Sequence, residues 1–481
     1  MLNLFHNQPR PFYMIFLLEV WERFGYYTVQ GILTLFFIRS LGFDQETAYF
    51  TFGAFSALVY GLISVGGFLG DKVLGTKRTI LLGLVTLAAG YLSLSLVGKE
   101  YIFLALGLVC VGNGLFKANP SSLLAKCYEE KDPRLHGGFT LYYMAINLGS
   151  IFALFIGPAL SSKFGYSYAF FTSFIGILLG IVNYFWQRSS IAHIQLPADN
   201  RPISFWQWSM VIAGIIATVM GAAYLLQHVM IAKNLVWFIV LVVVTIYLAY
   251  MRKENRLARL RMLVAIILMI EGVTFFTLYQ QMPTSLNLFA VNNVRSSFFG
   301  ISLDPQSFQA LNPIWIIIMS PVIASFYQKL YRKGKVISLP YKFSIGMTFC
   351  AVSFLVLYFS RYFHDAHGMI SCGWLVASYF FQSISEILIS ALGVAMVAEL
   401  VPLQITGFVM GMWFLSSAIS GFLGAQVASF TALPKDLTGG FEGLFVYTQV
   451  FAYIGGGTLL IALLMWITSP FLTRLLLREA F

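Results

Sequence analysis

Charged residues are scarce in this sequence. Only 10% of the 481 residues are Asp, Glu, Lys or Arg, whereas 59% are hydrophobic and the mean hydropathy is +0.80. A soluble domain carries roughly a quarter charged residues, so the composition excludes an ordinary soluble protein and predicts a polytopic membrane protein. The net charge of +11 then needs no nucleic acid to explain it, because basic residues accumulate in the cytoplasmic loops of membrane proteins.

Cysteine and histidine are also few. The four cysteines stand far apart and mostly inside apolar runs, at Cys110, Cys127, Cys350 and Cys372, and the six histidines fall in predicted loops or at helix ends. This spacing predicts neither a disulfide framework nor a metal site. We therefore expect no metal and no cofactor, and an intramembrane enzyme is disfavoured because no nucleophile and base are paired at membrane depth.

Long apolar runs dominate the chain. Each is near or above the roughly 20 residues that a spanning helix needs. The fourteen runs cover residues 12–38, 47–70, 79–98, 101–125, 138–160, 166–187, 206–227, 232–250, 262–291, 308–330, 342–362, 370–398, 404–430 and 446–473. The N-terminus lacks the short apolar segment and cleavage site of a secretory signal, so we expect the first run to be an uncleaved membrane anchor.

An even number of helices places both termini on the same side of the membrane. The loops on that side carry 21 Lys and Arg residues, against seven on the other side. This bias predicts that both termini are cytoplasmic.

The runs predict an all-α polytopic fold of fourteen transmembrane helices, arranged as six, two and six. The predicted parts are an N-terminal six-helix bundle at 12–188, a linker with two extra helices at 189–261, and a C-terminal six-helix bundle at 262–478. The linker helices carry ionisable residues only near their ends, so we expect them to lie outside the functional core. Two six-helix halves resemble the major facilitator fold, in which the halves enclose a central site and rock around it.

Three charges stand inside the first apolar run. One helical face carries every polar group of this segment, namely Glu19, Glu22, Arg23, Tyr26, Tyr27 and Gln30. A charge at mid-bilayer costs at least about 2.5 kcal/mol on insertion scales, so this face must meet protein or a wet cavity. Lys117, deep in the fourth run and followed by Pro120, is the expected partner of Glu19 or Glu22. Such a group can exchange partners and hold a proton, which predicts a proton relay; a fixed structural cluster is the alternative.

Polar residues recur at helical spacing in other runs. Tyr143, Asn147 and Ser150 share a face of the fifth run, and Gln382, Glu386 and Ser390 share a face of the twelfth. Glu386 is the clearest functional candidate of the second half. Further candidates are Tyr60, Glu271, Gln281, Asn312 and Trp413. Taken singly, such polar residues are as typical of interhelical packing as of a ligand site.

A glycine-rich loop joins the second and third runs. Its sequence is Gly67-Phe-Leu-Gly70-Asp71-Lys72-Val-Leu-Gly75-Thr-Lys77-Arg78, which resembles the cytoplasmic signature of the major facilitator superfamily. Gly67 permits close helix contact, Gly75 permits a tight turn, and Asp71 can meet a helix end or a basic partner. We predict that Gly67, Asp71, Gly75 and Arg78 act in gating or folding; an ordinary positively charged loop is the alternative.

Two stretches resemble the signatures of the proton-dependent oligopeptide transporter (POT) family. They are Glu19-x-x-Glu22-Arg23-Phe24-x-Tyr26-Tyr27 and Tyr142-Tyr143-Met-Ala-Ile-Asn147-Leu-Gly-Ser150, and the similarity, strongest to enterobacterial di- and tripeptide permeases, runs from about Gln8 to Pro470. The resemblance implies proton coupling by Glu19, Glu22, Arg23 and Lys117. The predicted substrate-binding residues are Tyr27, Gln30, Tyr60, Tyr143, Asn147, Gln281, Asn312, Glu386, Ser390 and Trp413.

The resemblance implies a symporter that imports di- and tripeptides with protons by alternating access. We expect it to work as a monomer in a bacterial inner membrane, with protons as the coupling ion. One departure is Gln30, which stands where many family members carry arginine; peptide-carboxylate binding must then rest on Arg23, Lys117 and neutral donors. A carrier of another small anion or of a modified amino acid in the same fold is the alternative, and a channel is disfavoured because no pore loop repeats.

Overall fold

The computed structural model describes residues 5–129, 132–194, 198–298, 300–434 and 440–477, and nearly all of them are helical. Twelve helices in this part are long and apolar enough to cross a membrane. Two more long helices, Arg10–Arg39 and Gly373–Leu400, fall on the first and twelfth predicted runs. The described residues therefore contain a helix at each of the fourteen predicted spans.

The chain divides into two compact units, the first made of Met1–Gly42 and Ala54–Ala232. Its helices are α1 (Arg10–Arg39), the end of α2 (Gln45–Gly61), α3 (Ile63–Phe68) with a π-helical turn (Leu69–Val73), α4 (Thr76–Leu96), α5 (Ile102–Lys117), α6 (Asn119–Ala125), α7 (Arg134–Phe164), α8 (Tyr166–Gln187) and α9 (Phe205–Gln227). Within this unit α1 packs against α7 and α8, and α5 packs against α4 and α9.

The second unit is made of Phe43–Gly53 and Lys233–Phe481. Its elements are the start of α2, most of α10 (Val229–Lys253), α11 (Arg256–Tyr279), α12 (Ser285–Asn293), the antiparallel strands β1 (Ser297–Phe298) and β2 (Ile301–Ser302), α13 (Leu311–Arg332), α14 (Leu339–Phe359), α15 (Gly373–Leu400), α16 (Thr406–Ser429) and α17 (Gly440–Leu477). Here α14 packs against α15 and α17, and α11 packs against α16.

The two linker helices expose most of their apolar surface. In the most apolar 18-residue stretch of α9, only 22% of the residues are buried, and in that of α10 only 6% are buried. The corresponding share is 67% for the run that contains α5 and α6. Among these helices, α9 lies wholly in the first unit and packs against α5, whereas α10 continues into the second unit. The boundaries expected at 188 and 261 stay a prediction.

Three of the predicted runs are interrupted helices. The break between Tyr279 and Ser285 surrounds Pro283, which has no backbone N–H to continue the helix. The break at Ala118 precedes Pro120, whose missing N–H cannot continue the helical hydrogen bonds. The break at Leu62, between α2 and α3, has no proline; it lies where α3 meets α5 so closely that a Cβ atom on Gly66 would overlap the backbone of Gly114.

The close contact of α3 with α5 predicts a large effect for Gly66→Ala. The added methyl group has no room, and overpacking of this kind costs about 1–3 kcal/mol, so we expect a lower melting temperature in detergent. Gly61→Ala is the matched control, because a Cβ atom there meets nothing within 4 Å. Equal melting temperatures for the two variants would contradict the proposed role of this contact.

Candidate functional site

A buried ion-pair cluster lies in the middle of α1. Arg23 is 1% exposed, and its Nε and Nη2 atoms donate to the two carboxylate oxygens of Glu22 at 2.5 and 2.7 Å. Its Nε also lies 3.5 Å from Oε1 of Glu19, one helical turn earlier. The three charged residues that the sequence places on one face thus form one cluster. Bidentate pairing between ionised groups is the strongest geometry for such a contact.

Polar side chains from two neighbouring helices complete this cluster. The Tyr142 hydroxyl on α7 donates to Oε2 of Glu19 at 2.7 Å, and Oδ1 of Asn113 on α5 accepts from Nη2 of Arg23 at 3.2 Å. The sequence analysis gave neither residue a role. Asn113 stands four residues before Lys117 on the same helical face, which could have identified it. Helical spacing with Asn147 and Ser150 favoured the neighbouring Tyr143, so the sequence pattern did not single out Tyr142.

Lys117 is the last residue of α5. Its Nζ lies 4.9 Å from the ring centroid of Tyr60, a cation–π distance. Among the described residues of this unit no carboxylate oxygen lies within ion-pair distance of Nζ, although Glu22 and Glu19 are within electrostatic range. The expected partnership with the two glutamates is therefore present as a longer-range attraction. Two carboxylates and two cations together balance the charge of this region.

The helix break beside Lys117 is fixed by Asn119. Its Nδ2 donates to the carbonyl oxygens of Gly66 at 3.2 Å and Leu115 at 2.7 Å, so this amide links α6 to α3 and α5. Gly70 packs on the same side chain, because a Cβ atom there would overlap Oδ1 of Asn119. Asn119 is a third residue, after Tyr142 and Asn113, that was not among the predicted site residues. It holds the two broken helices together at the end of α5.

The glycine-rich loop docks against the chain that follows α8. Gly75 has a φ of +89°, and a Cβ atom there would overlap Asp199. Burial raises the pKa of the Asp199 carboxyl above its usual range, although its Oδ1 accepts the N–H of Lys77 at 3.2 Å. Gly75 therefore has the tight turn that the sequence predicts, and its missing side chain makes room for Asp199.

The other predicted residues of this loop have different surroundings. Arg78 donates through Nη1 to the carbonyl oxygens of Leu74 at 3.2 Å and Arg201 at 3.1 Å. Gly67 would make only an ordinary van der Waals contact with Ala118 if it carried a Cβ atom. Asp71 is exposed. In this unit, then, Gly75 and Arg78 hold the loop, whereas Asp71 points to solvent or headgroups.

The remaining predicted residues of the first unit lie on α1 and α7. Tyr27 and Gln30 are half-buried, and the rings of Tyr26 and Tyr27 stand 5.3 Å apart. Asn147 is buried and donates to the Tyr143 carbonyl at 2.9 Å, while the Tyr143 side chain is 38% exposed. Tyr27, Gln30 and Tyr143 therefore keep surface that a ligand could reach.

In the second unit Glu386 belongs to a polar group on α13 and α15. Its Oε2 accepts from Nδ2 of Asn312 at 2.8 Å, and the same amide contacts Oγ of Ser383 at 3.2 Å. Ser383 returns a hydrogen bond to the Asn312 carbonyl at 3.2 Å. Two predicted residues, Asn312 and Glu386, are thus brought together. Ser390 lies one turn beyond Glu386 and is half-buried.

Gln281 and Trp413 make packing contacts of the kind that the sequence left open as the alternative to substrate binding. Gln281 is fully buried, and its amide bonds to the carbonyls of Thr277 at 3.1 Å and Gly424 at 3.0 Å, which ties α11 to α16. The Trp413 ring is also buried and fills the space that Gly272 leaves open on α11. In this structure both predicted substrate contacts serve helix packing.

Buried charges at membrane depth mark ion or substrate pathways, so the helical fold and its clusters define a multi-pass membrane transporter. A model of the POT family matches residues 77–442. The chain is 50% identical over 473 residues to dipeptide and tripeptide permease B of Yersinia enterocolitica, and 50% identical over 475 residues to the permease of that name of Salmonella typhimurium. Each match covers 98% of this chain and 96% of the relative. The chain belongs to the POT family.

Solved structures agree with this assignment. Tetrameric PepTSo2 matches with a TM-score of 0.87 and 35% identity, over 97% of this chain and 99% of that one. A peptide transporter POT in complex with sulfate matches with a TM-score of 0.85 and 28% identity, over 97% and 96%. The predicted family and major facilitator fold are confirmed. Because the relatives are named permeases, the chain is a transporter and not an enzyme.

The hydrogen bond between Tyr142 and Glu19 gives a direct prediction. Tyr142→Phe removes a donor to a buried carboxylate, which costs about 1.5–3 kcal/mol, so we expect a lower melting temperature in detergent. Tyr168→Phe is the matched control, because that ring is 60% exposed. If both variants have the same melting temperature as the unmodified protein, the Tyr142 hydroxyl does not stabilise the cluster.

Proposed function

We propose that this protein imports di- and tripeptides together with protons, by alternating access. The permeases to which it is 50% identical carry that substrate class in their names. The observation that carries the coupling proposal is the bidentate pair of Arg23 with Glu22, buried beside Glu19. We place the chain in a bacterial inner membrane with cytoplasmic termini, following the excess of basic residues in the loops on that side.

The pair provides a reason why protons and peptide travel together. A buried guanidinium that loses its partner is strongly destabilised, so Arg23 requires an anion at all times. When Glu22 takes up a proton, that anion can be the carboxylate of a peptide, which Lys117 also attracts. When Glu22 loses the proton to the cytoplasm, it competes for Arg23 and releases the peptide. Glu19, which is 3.5 Å from Arg23 and hydrogen-bonded to Tyr142, is the second carboxylate able to take this role.

Glu386, in the second unit, is a further predicted substrate-binding residue, and a carboxylate can accept a hydrogen bond from an ammonium group such as a peptide carries. Among the described residues its carboxylate accepts one hydrogen bond, from the neutral side-chain amide of Asn312 at 2.8 Å. An ionised carboxylate has about four acceptor positions, so this one retains capacity for an ammonium donor. Gln30 is neutral and can contribute only amide hydrogen bonds.

We further propose that one chain is the transport unit and that protons are its only coupling ion. The ion-pair cluster is assembled within one unit of a single chain, from α1, α5 and α7. The tetramer described for PepTSo2 is a property of that protein.

Uptake of labelled dialanine into proteoliposomes tests the transport proposal. With an imposed inward proton gradient we expect accumulation that a protonophore abolishes, since each charge carried inward gains about 2.3 kcal/mol per 100 mV. Protein-free liposomes are the control. If correctly inserted protein takes up no dialanine, the same fold instead serves another anion or a modified amino acid, and uptake of those substrates would resist competition by dipeptides.

Glu22→Gln tests the coupling device. Glutamine preserves the size of the side chain but cannot exchange a proton, so we expect proton-driven accumulation to be lost while peptide counterflow is retained. Glu100→Gln, the same change at an exposed position outside the cluster, is the matched control and should leave uptake unchanged. Uphill uptake by Glu22→Gln would rule out this role.

A further inference from the structure

A cleft of about 410 Å³ opens on the side of the first unit, between α9, α5 and the segment from Leu62 to Val73. Its walls are almost entirely apolar. Representative lining residues are Val65, Leu69, Leu115, Met210, Gly214 and Thr218. None of them belongs to the ion-pair cluster or to the predicted peptide site, so the transport proposal does not use this cleft.

The cleft exists because α9 and α5 touch at one end and separate toward the other. At the tight end, a Cβ atom on Gly107 would approach the carbonyl oxygen of Val219 to 2.8 Å, and Ala223 is nearly as close. At the open end, a Cβ atom on Gly214 would find nothing within 4 Å. The cleft is therefore a wedge built into the way the first linker helix joins the bundle.

The cleft lies beside a largely exposed apolar helix. The helix α9 is one of the candidate membrane spans, and only 22% of its most apolar window is buried. Two lining residues, Val65 and Met210, are 50% and 53% exposed, so the cleft opens to the outside of the protein. An apolar space of this kind does not hold ordered water, and leaving it empty forfeits dispersion contacts. A fatty acyl chain from the bilayer is apolar, as the walls are, and it would supply the missing dispersion contacts.

Basic residues lie within and just after the lining segment 62–73 in the sequence. Val73, a lining residue, is preceded by the exposed Lys72. It is followed by Leu74, whose carbonyl oxygen accepts from Nη1 of Arg78 at 3.2 Å. Two acidic residues are nearby. Asp71 is exposed, and Asp199 accepts a hydrogen bond from the backbone N–H of Lys77. Two cations beside the last lining residues favour an anionic headgroup.

We propose that this cleft is a binding site for an anionic phospholipid. One acyl chain fills the wedge between α9 and α5, and the headgroup phosphate lies beside Lys72 and Arg78. The linker helix α9 is then joined to the bundle partly through a lipid. This site is independent of the proposed transport function.

Native mass spectrometry of the full chain tests the site. The protein is reconstituted in vesicles of equal phosphatidylethanolamine and phosphatidylglycerol, and is then extracted in mild detergent. We expect the unmodified protein to retain phosphatidylglycerol in excess. Gly214→Phe fills the wedge and should lose this lipid, whereas Gly221→Phe, on the same helix but outside the cleft, should keep it. A Cβ atom at either glycine meets nothing within 4 Å, so neither substitution forces a clash at its first atom.

Three results would overturn the proposal. They are retention of no lipid by the unmodified protein, equal retention by both variants, and retained lipid without an excess of phosphatidylglycerol. Melting temperatures of both variants in detergent verify that they are folded. Lys72→Gln tests the headgroup contact separately, since it should reduce the excess of phosphatidylglycerol while an acyl chain is still retained.

Discussion

The structure of the first unit depends on how the charge of Arg23 is neutralised inside a membrane helix. A guanidinium that is 1% exposed cannot rely on water, so its partners must come from the protein. Glu22 supplies both oxygens, Glu19 adds a third within 3.5 Å, and Asn113 accepts a remaining N–H. The same arrangement is the basis of the proposed coupling between protons and peptide, because a carboxylate that takes up a proton leaves Arg23 in need of another anion.

The helix breaks of the first unit serve this charged region. The break at Ala118 ends α5 at Lys117, and Asn119 then connects the broken helices through two backbone carbonyls. The break at Leu62 lies where α3 meets α5 at Gly66 and Gly114. Breaks in membrane helices are tolerated where side chains or neighbouring helices satisfy the freed backbone groups, and Asn119 does so here. A polar side chain, that of Asn119, thus stabilises the interruption beside Pro120.

Much of this fold can be predicted from the sequence, because spanning helices require long apolar runs. The breaks near Pro283 and Pro120 can be predicted as well, since proline removes a helical hydrogen bond. The break at Leu62 could not, because no proline or other local signal stands there; it coincides with a tertiary contact between Gly66 and Gly114. The charged stripe of α1 was visible from helical spacing within one segment.

The partners of that stripe were harder to predict. Whether Tyr142 or Tyr143 meets α1 depends on the rotation of α7 about its axis, and its apolar pattern leaves that rotation open. Gln281 and Trp413 stay predicted substrate contacts, and the sequence could not show that they pack against Gly424 and Gly272 of neighbouring helices. Residues of one helix are therefore predicted well, and contacts between helices are not.

The most direct test of the account is the pH inside proteoliposomes, followed with a trapped pH-sensitive dye while dialanine is added outside. The account predicts that dialanine acidifies the lumen, because each peptide that enters replaces Glu22 as the partner of Arg23 only while a proton is carried. Entry of labelled dialanine at an undiminished rate without any acidification of the lumen would contradict it.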